Sequence, residues 1–226
     1  KLIEYYNTRQ NYQMTLTLAT EAVKKHKDNP DIGVQYAIAL INNGQYAKSL
    51  ETLEGMNILP SEGAKLGKVV FEQASLFLAM DLISNKKYKE AISMVEKSKE
   101  WPETLGVGKP YDVDIRIQDY LSVFCLEKLN RKSETAVLQK SIIDYTNQQM
   151  VSSFSNILAI RLLNEKGDTE AANILIQKMS KSENPIQKWV VATSKKDQTA
   201  INNLEKDFTT NTNFLIIKKL FEVTGK

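Results

Sequence analysis

The stretch Gly44-Gln45-Tyr46-Ala47-Lys48-Ser49-Leu50 decides the fold. A glycine stops one apolar run, a tyrosine begins the next, and a small residue stands three positions later. Ahead of it, Val34, Ala37, Ile38 and Ile41 follow the i, i+3, i+4, i+7 spacing of one helix face. The glycine lets the chain reverse, the ring wedges between the first helix of its pair and the next pair, and the small side chain lets two helix backbones approach. The stretch therefore reads as the turn of a helical hairpin.

The same reading recurs along the chain. Lys87-Tyr88-Lys89-Glu90-Ala91-Ile92 and Gly167-Asp168-Thr169-Glu170-Ala171-Ala172 repeat the order of turn, bulky or branched residue and small residue. Tyr12 and Tyr46 are 34 residues apart, Ala136 and Ala172 are 36 apart, and the other steps are longer. Asn29-Pro30-Asp31, Gly167-Asp168 and Asn184-Pro185 mark helix ends and starts. Thirteen helices are expected, over 2–8, 10–27, 31–42, 46–56, 62–84, 88–99, 112–129, 133–146, 150–165, 168–180, 185–194, 198–209 and 212–223. No segment alternates with the two-residue period of a strand. The helix over 62–84 is apolar on most sides, which places it at the centre of the structure.

On these junctions the chain resembles the tetratricopeptide-repeat family over residues 10–210. The unit 31–60 carries Ala37, Gly44, Tyr46, Leu50 and Pro60 in family order, with Ser49 where alanine is usual and, further on, Ser133 where a tyrosine is expected. The resemblance implies an all-α fold, an α-α superhelix of about six irregular hairpins, as a single domain over 1–226. In that family the first helix of each pair lines a concave binding face. Carried over, the face here consists of Val34, Ile38, Ile41, Asn42, Leu76, Met80 and Ile83, and it is nearly all apolar. The segment from Trp101 to Asp112 is also similar to a stretch of large uncharacterised bacterial proteins. Those proteins join an amino-terminal domain, sugar-enzyme-like in flavour, to a carboxy-terminal helical-repeat region, and this chain resembles that region. Beginning at Lys1 inside a helical pattern, it is expected to be a fragment of a longer chain.

Composition excludes several function classes. The 226 residues are 42% hydrophobic and 25% charged, ordinary for a packed domain rather than a disordered one. The net charge of +3 is too small to imply a polyanion, so no nucleic-acid partner is expected. No apolar run reaches the roughly 18 residues of a membrane span, so no membrane insertion is expected. One cysteine, Cys125, lies in apolar sequence and reads as a buried, inert thiol. His26 is the only histidine, so neither a catalytic triad nor a histidine metal site has its residues. Gly106-Val107-Gly108-Lys109-Pro110 lacks the spacing and the serine or threonine of a phosphate loop. No cofactor is expected. Asp112 and Asp114 stand two apart at a helix start, where Asp112 reads as a cap.

The expectation is a non-catalytic protein-interaction or scaffolding module whose partner is another domain of the same polypeptide or a subunit. It would bind through the concave face and through a loop carrying Trp101, Lys109, Tyr111 and Asp112. The alternative is an accessory or catalytic helical toroid acting on carbohydrate, since Trp101 and Tyr111 lie beside carboxylates.

Overall fold

The computed structural model describes residues 1–60, 65–149 and 151–225. Among these residues the chain is helical throughout, without strands. Thirteen α-helices follow one another: α1 (Leu2–Thr8), α2 (Tyr12–Lys25), α3 (Pro30–Asn42), α4 (Tyr46–Glu54), α5 (Lys65–Ser84), α6 (Tyr88–Ser98), α7 (Arg116–Lys128), α8 (Lys132–Gln148), α9 (Asn156–Glu165), α10 (Thr169–Ser180), α11 (Pro185–Lys195), α12 (Gln198–Glu205) and α13 (Thr212–Thr224). Helices α1 to α12 each pack chiefly on a neighbour in sequence, and α13 packs on α7. The chain divides into two compact units, Lys1–Val113 and Asp114–Lys226.

One turn builds all six hairpins. Gln10, Gly44, Lys86, Asn130, Gly167 and Lys196 have φ of 57°, 72°, 59°, 58°, 79° and 58°. Each stands two residues before the second helix of its pair. The residue after it donates its N–H to the carbonyl five positions back, as in Gln45 to Leu40 at 2.9 Å and Lys87 to Leu82 at 2.8 Å. The left-handed residue itself donates three positions back, as in Gly44 to Ile41 at 2.9 Å. This pair of bonds is the Schellman motif, which satisfies carbonyls that a helix end leaves open. The residue that closes one helix is also the N-cap of the next. Asn11, Asp168 and Asp197 complete the cap by accepting from the backbone N–H three residues on.

In the first unit α3 packs on α2, α4 and α5, and α5 packs on α3, α4 and α6. Tyr46 sets its ring 5.3 Å from that of Phe77 on α5, so the ring joins one hairpin to the next. Ser49 lies fully buried and donates from Oγ to the Ala37 carbonyl at 3.0 Å. The hydroxyl is satisfied inside the hairpin, which explains how a serine is tolerated at this buried position.

Packing on this many sides corrects the reading of the concave face. Val34, Ile41, Leu76, Met80 and Ile83 are buried in the core, and Ile38 and Asn42 are half-buried. Leu121 and Ile157, at the corresponding positions of later hairpins, are buried too. Asn42 donates to Asn7 Oδ1 at 2.7 Å, tying α3 to α1. Most of these side chains hold hairpins together, and of the seven Val34 alone borders a cleft, at the start of α3. Tight packing of the first helices against their neighbours buries most of the aliphatic positions that a more open array would expose.

Two helix starts differ from expectation in the second unit. Helix α7 begins at Arg116, not near 112, and Asp112 caps nothing. Asp114 receives the Arg116 guanidinium on both carboxylate oxygens, at 2.8 and 2.6 Å. Arg116 is 2% exposed, donates further to Thr146 Oγ1 and Asn156 Oδ1 at 2.7 Å each, and lies 5.0 Å from the Tyr145 ring. One side chain thus ties together α7, α8 and α9. Helix α9 starts at Asn156 because Phe154 turns inward against Trp189, Phe208 and Phe214, and Asn156 bonds back to the Val151 carbonyl. Trp189 is a core residue. The expected helix starts at 62 and 150 fall on residues outside those described, since 61–64 and 150 are among the latter.

Two stability predictions follow from the turn and from the arginine. A non-glycine residue held left-handed costs about 1 kcal/mol. Lys86→Gly and Lys196→Gly should therefore raise the unfolding free energy, each by up to about 1 kcal/mol, and Gly44→Ala should lower it by a similar amount, all read from the shift of the urea midpoint at constant slope. Arg116→Met strands Asp114, Thr146 and Asn156 and should cost about 3 kcal/mol, since half of a largely buried charge pair is lost. A loss below about 1 kcal/mol would mean the cluster is not holding the three helices.

Candidate functional site

The loop after α6 and the loop after α4 clamp each other. Ile58 donates its N–H to the Thr104 carbonyl at 2.7 Å. Leu105, 1% exposed, is pinned by a 3-10 turn over Glu103–Leu105. Gly106 follows with φ of 71°, and a Cβ there would come within 2.6 Å of the Ile58 carbonyl oxygen. Only glycine allows the two loops to come this close. Gly106 is thus a packing device.

Two clefts open beside the first turns of α5. One, of about 750 Å³, is bordered by the starts of α1, α3 and α5, with Ile3, Val34 and Leu66 among its apolar residues. Glu4, Asp28 and Asp31 lie on it, together with Lys1. Leu59 and Leu66, also on this cleft, are 77% and 45% exposed.

The other cleft, of about 680 Å³, lies between α5 and the two loops. Its lining includes Pro60, Val69, Trp101 and Pro110, with Lys65, Lys68 and Glu72 as charged groups. The Lys68 side chain is 4% exposed and lies 2.9 Å from Glu72 Oε2, whose side chain is 31% exposed. Lys68 also donates to the Ser98 carbonyl at 2.9 Å and sits 5.0 Å from the Trp101 ring centroid. A buried ammonium is tolerable only when its donors are met, and here a carboxylate, a carbonyl and an indole face meet them.

Of the loop residues singled out in the sequence, Trp101 is half-buried in this second cleft. Lys109, Tyr111 and Asp112 are exposed. Tyr111 stands fully clear of the surface. The structure joins Trp101 to Lys68 and Glu72, neither of which stands out in sequence. A lysine and a glutamate four apart on a helix normally read as a solvated pair. The only hint was their place within an otherwise apolar helix. Asp114 and Arg116, near Trp101 in sequence, instead belong to the interior of the second unit.

Other candidates offer little chemistry. Among the described residues no group of three or more His, Cys, Asp or Glu could hold a metal ion, and no helix is long and apolar enough to cross a membrane. Cys125 is fully buried, and burial pushes its thiol up to about 12. Desolvation disfavours the thiolate, so the neutral thiol persists through the alkaline range used for labelling. Maleimide labelling of the native protein at about pH 8 should be far slower than labelling in denaturant. Equal rates would place the thiol at the surface. No family model matches the chain, and neither a curated protein nor a solved structure is significantly similar to it.

Proposed function

We propose that this chain is a non-catalytic protein-interaction module, a tetratricopeptide-like array of about six irregular hairpins of the superhelical kind. The observation that carries the reading is the cleft bordered by α1, α3 and α5. These are the first helices of three successive hairpins, the elements that line the binding face in repeat proteins of this type. The recurrence of one Schellman turn in six hairpins supports the repeat.

The chemistry of that cleft selects its partner. Ile3, Val34 and Leu66 supply apolar area, and three carboxylates against one lysine make its rim acidic. A protein segment with apolar anchors and basic flanking residues fits it, whether from another domain of the same polypeptide or from a subunit. An acidic rim repels phosphate backbones, which argues against nucleic acid. The exposed Tyr111, with Lys109 and Asp112 beside it, offers a second contact at the loop.

In a displayed peptide library the chain should enrich sequences with large apolar residues flanked by lysine or arginine. Leu66→Asp should abolish binding of the enriched peptides, and Asp31→Lys should weaken it about tenfold or more and reduce its salt dependence. Enrichment of acidic peptides, or binding indifferent to both changes, would overturn the reading.

A further inference from the structure

The chain is locked down on each side of the boundary at Val113 and Asp114. On the first side Ile58 donates to the Thr104 carbonyl, Leu105 is buried, and Gly106 lies against the Ile58 carbonyl. The chain is thereby fastened to the unit it is leaving. On the second side Asp114 holds the Arg116 guanidinium, which reaches on to Thr146 and Asn156. The chain is thereby fastened at once to α8 and α9. Between the two locks, residues 107–113 form no helix, and Gly108, Lys109, Pro110, Tyr111 and Asp112 are exposed. Exposed backbone outside regular structure is where a chain opens at least cost.

Each unit has the means to stand alone. Each is half of the 226-residue chain, within the roughly 100–150 residues of a common domain. In the first, the central helix α5 gathers α3, α4 and α6. In an open array of repeats each hairpin contacts only its neighbours, and stability is shared along the line. The second unit departs from that pattern. Its last helix, α13, packs on its first, α7, and Phe214 of α13 stands against Phe154 and Trp189. Contacts that join the end of a unit to its beginning make its unfolding all-or-none.

We propose that Lys1–Val113 and Asp114–Lys226 fold and unfold as two independent units, and that 107–113 is the linker joining them. The acidic groove, lined by residues from Lys1 to Gly67, belongs wholly to the first unit, so unfolding of the second leaves it formed. This independence does not rest on what the groove binds.

The two tryptophans supply the probes, since Trp101 lies in the first unit and Trp189 in the second. The test is urea unfolding of the whole chain, labelled with nitrogen-15, with the two native indole resonances followed separately. Gly44→Ala should lower the midpoint read at Trp101 and leave that read at Trp189 unchanged. Arg116→Met should do the reverse, with the larger shift. If Arg116→Met unfolds the second unit outright, the transition at Trp101 should still persist at its original midpoint. Chymotrypsin applied to the native chain gives a second measurement. Leu59 and Trp101 each precede a proline, which blocks cutting there, whereas Tyr111 is fully exposed and precedes Asp112. Two halves divided after Tyr111 should accumulate and resist further digestion. Equal shifts at both tryptophans in either variant overturn the proposal. So does digestion in which no pair of halves accumulates.

Discussion

The left-handed residue at each hairpin turn is the constraint on which the remaining structure depends. A helix end leaves carbonyls without partners, and a chain that reverses at once into a second helix has few residues with which to satisfy them. Here the turn residue and its successor donate both backbone N–H groups to the closing helix, and the successor then caps the opening one. Loop length, helix phase and the line of approach of the second helix all follow. In two of the six turns the position is glycine. In the other four, Gln10, Lys86, Asn130 and Lys196 hold the same conformation at a cost that hairpin packing offsets.

With the turns set, the interior is settled by close approach. Ser49 and Ala37 let α4 come up to α3, and Tyr46 carries the contact on to Phe77 of α5. The same closeness buries Val34, Ile41, Leu76, Met80 and Ile83. Leu66 and Val69, at the start of α5, stay partly exposed. Helix starts and inter-hairpin loops diverge around the first turns of α5. Both clefts are there.

Two buried cations illustrate different uses of one kind of physics. Arg116 is enclosed by Asp114, Thr146, Asn156 and the Tyr145 ring, and joins three helices of the second unit. Its planar fork suits several fixed acceptors at once. Lys68 is enclosed by Glu72, the Ser98 carbonyl and Trp101, but its carboxylate partner borders an open cleft. The first arrangement is complete within the protein. The second lies on the wall of a cleft, and this difference separates a structural cluster from a candidate site.

Local sequence determined the helices and most of their ends, because apolar spacing and caps act within a few residues. Asn29-Pro30, Gly44, Gly167 and Asn184-Pro185 mark boundaries found in the structure. It determined the repeated hairpin at the two glycine turns and at Lys87-Tyr88, though not at Gln10, Asn130 or Lys196, where no residue type announces a left-handed backbone. Tertiary structure alone decided which faces are open. Val34 and Val69 are both aliphatic residues of apolar helices, yet one is buried and the other 45% exposed. Trp101, Lys68 and Glu72 likewise become one site only when two loops close over α5. Burial and convergence depend on contacts between distant residues, and no short stretch of chain contains them.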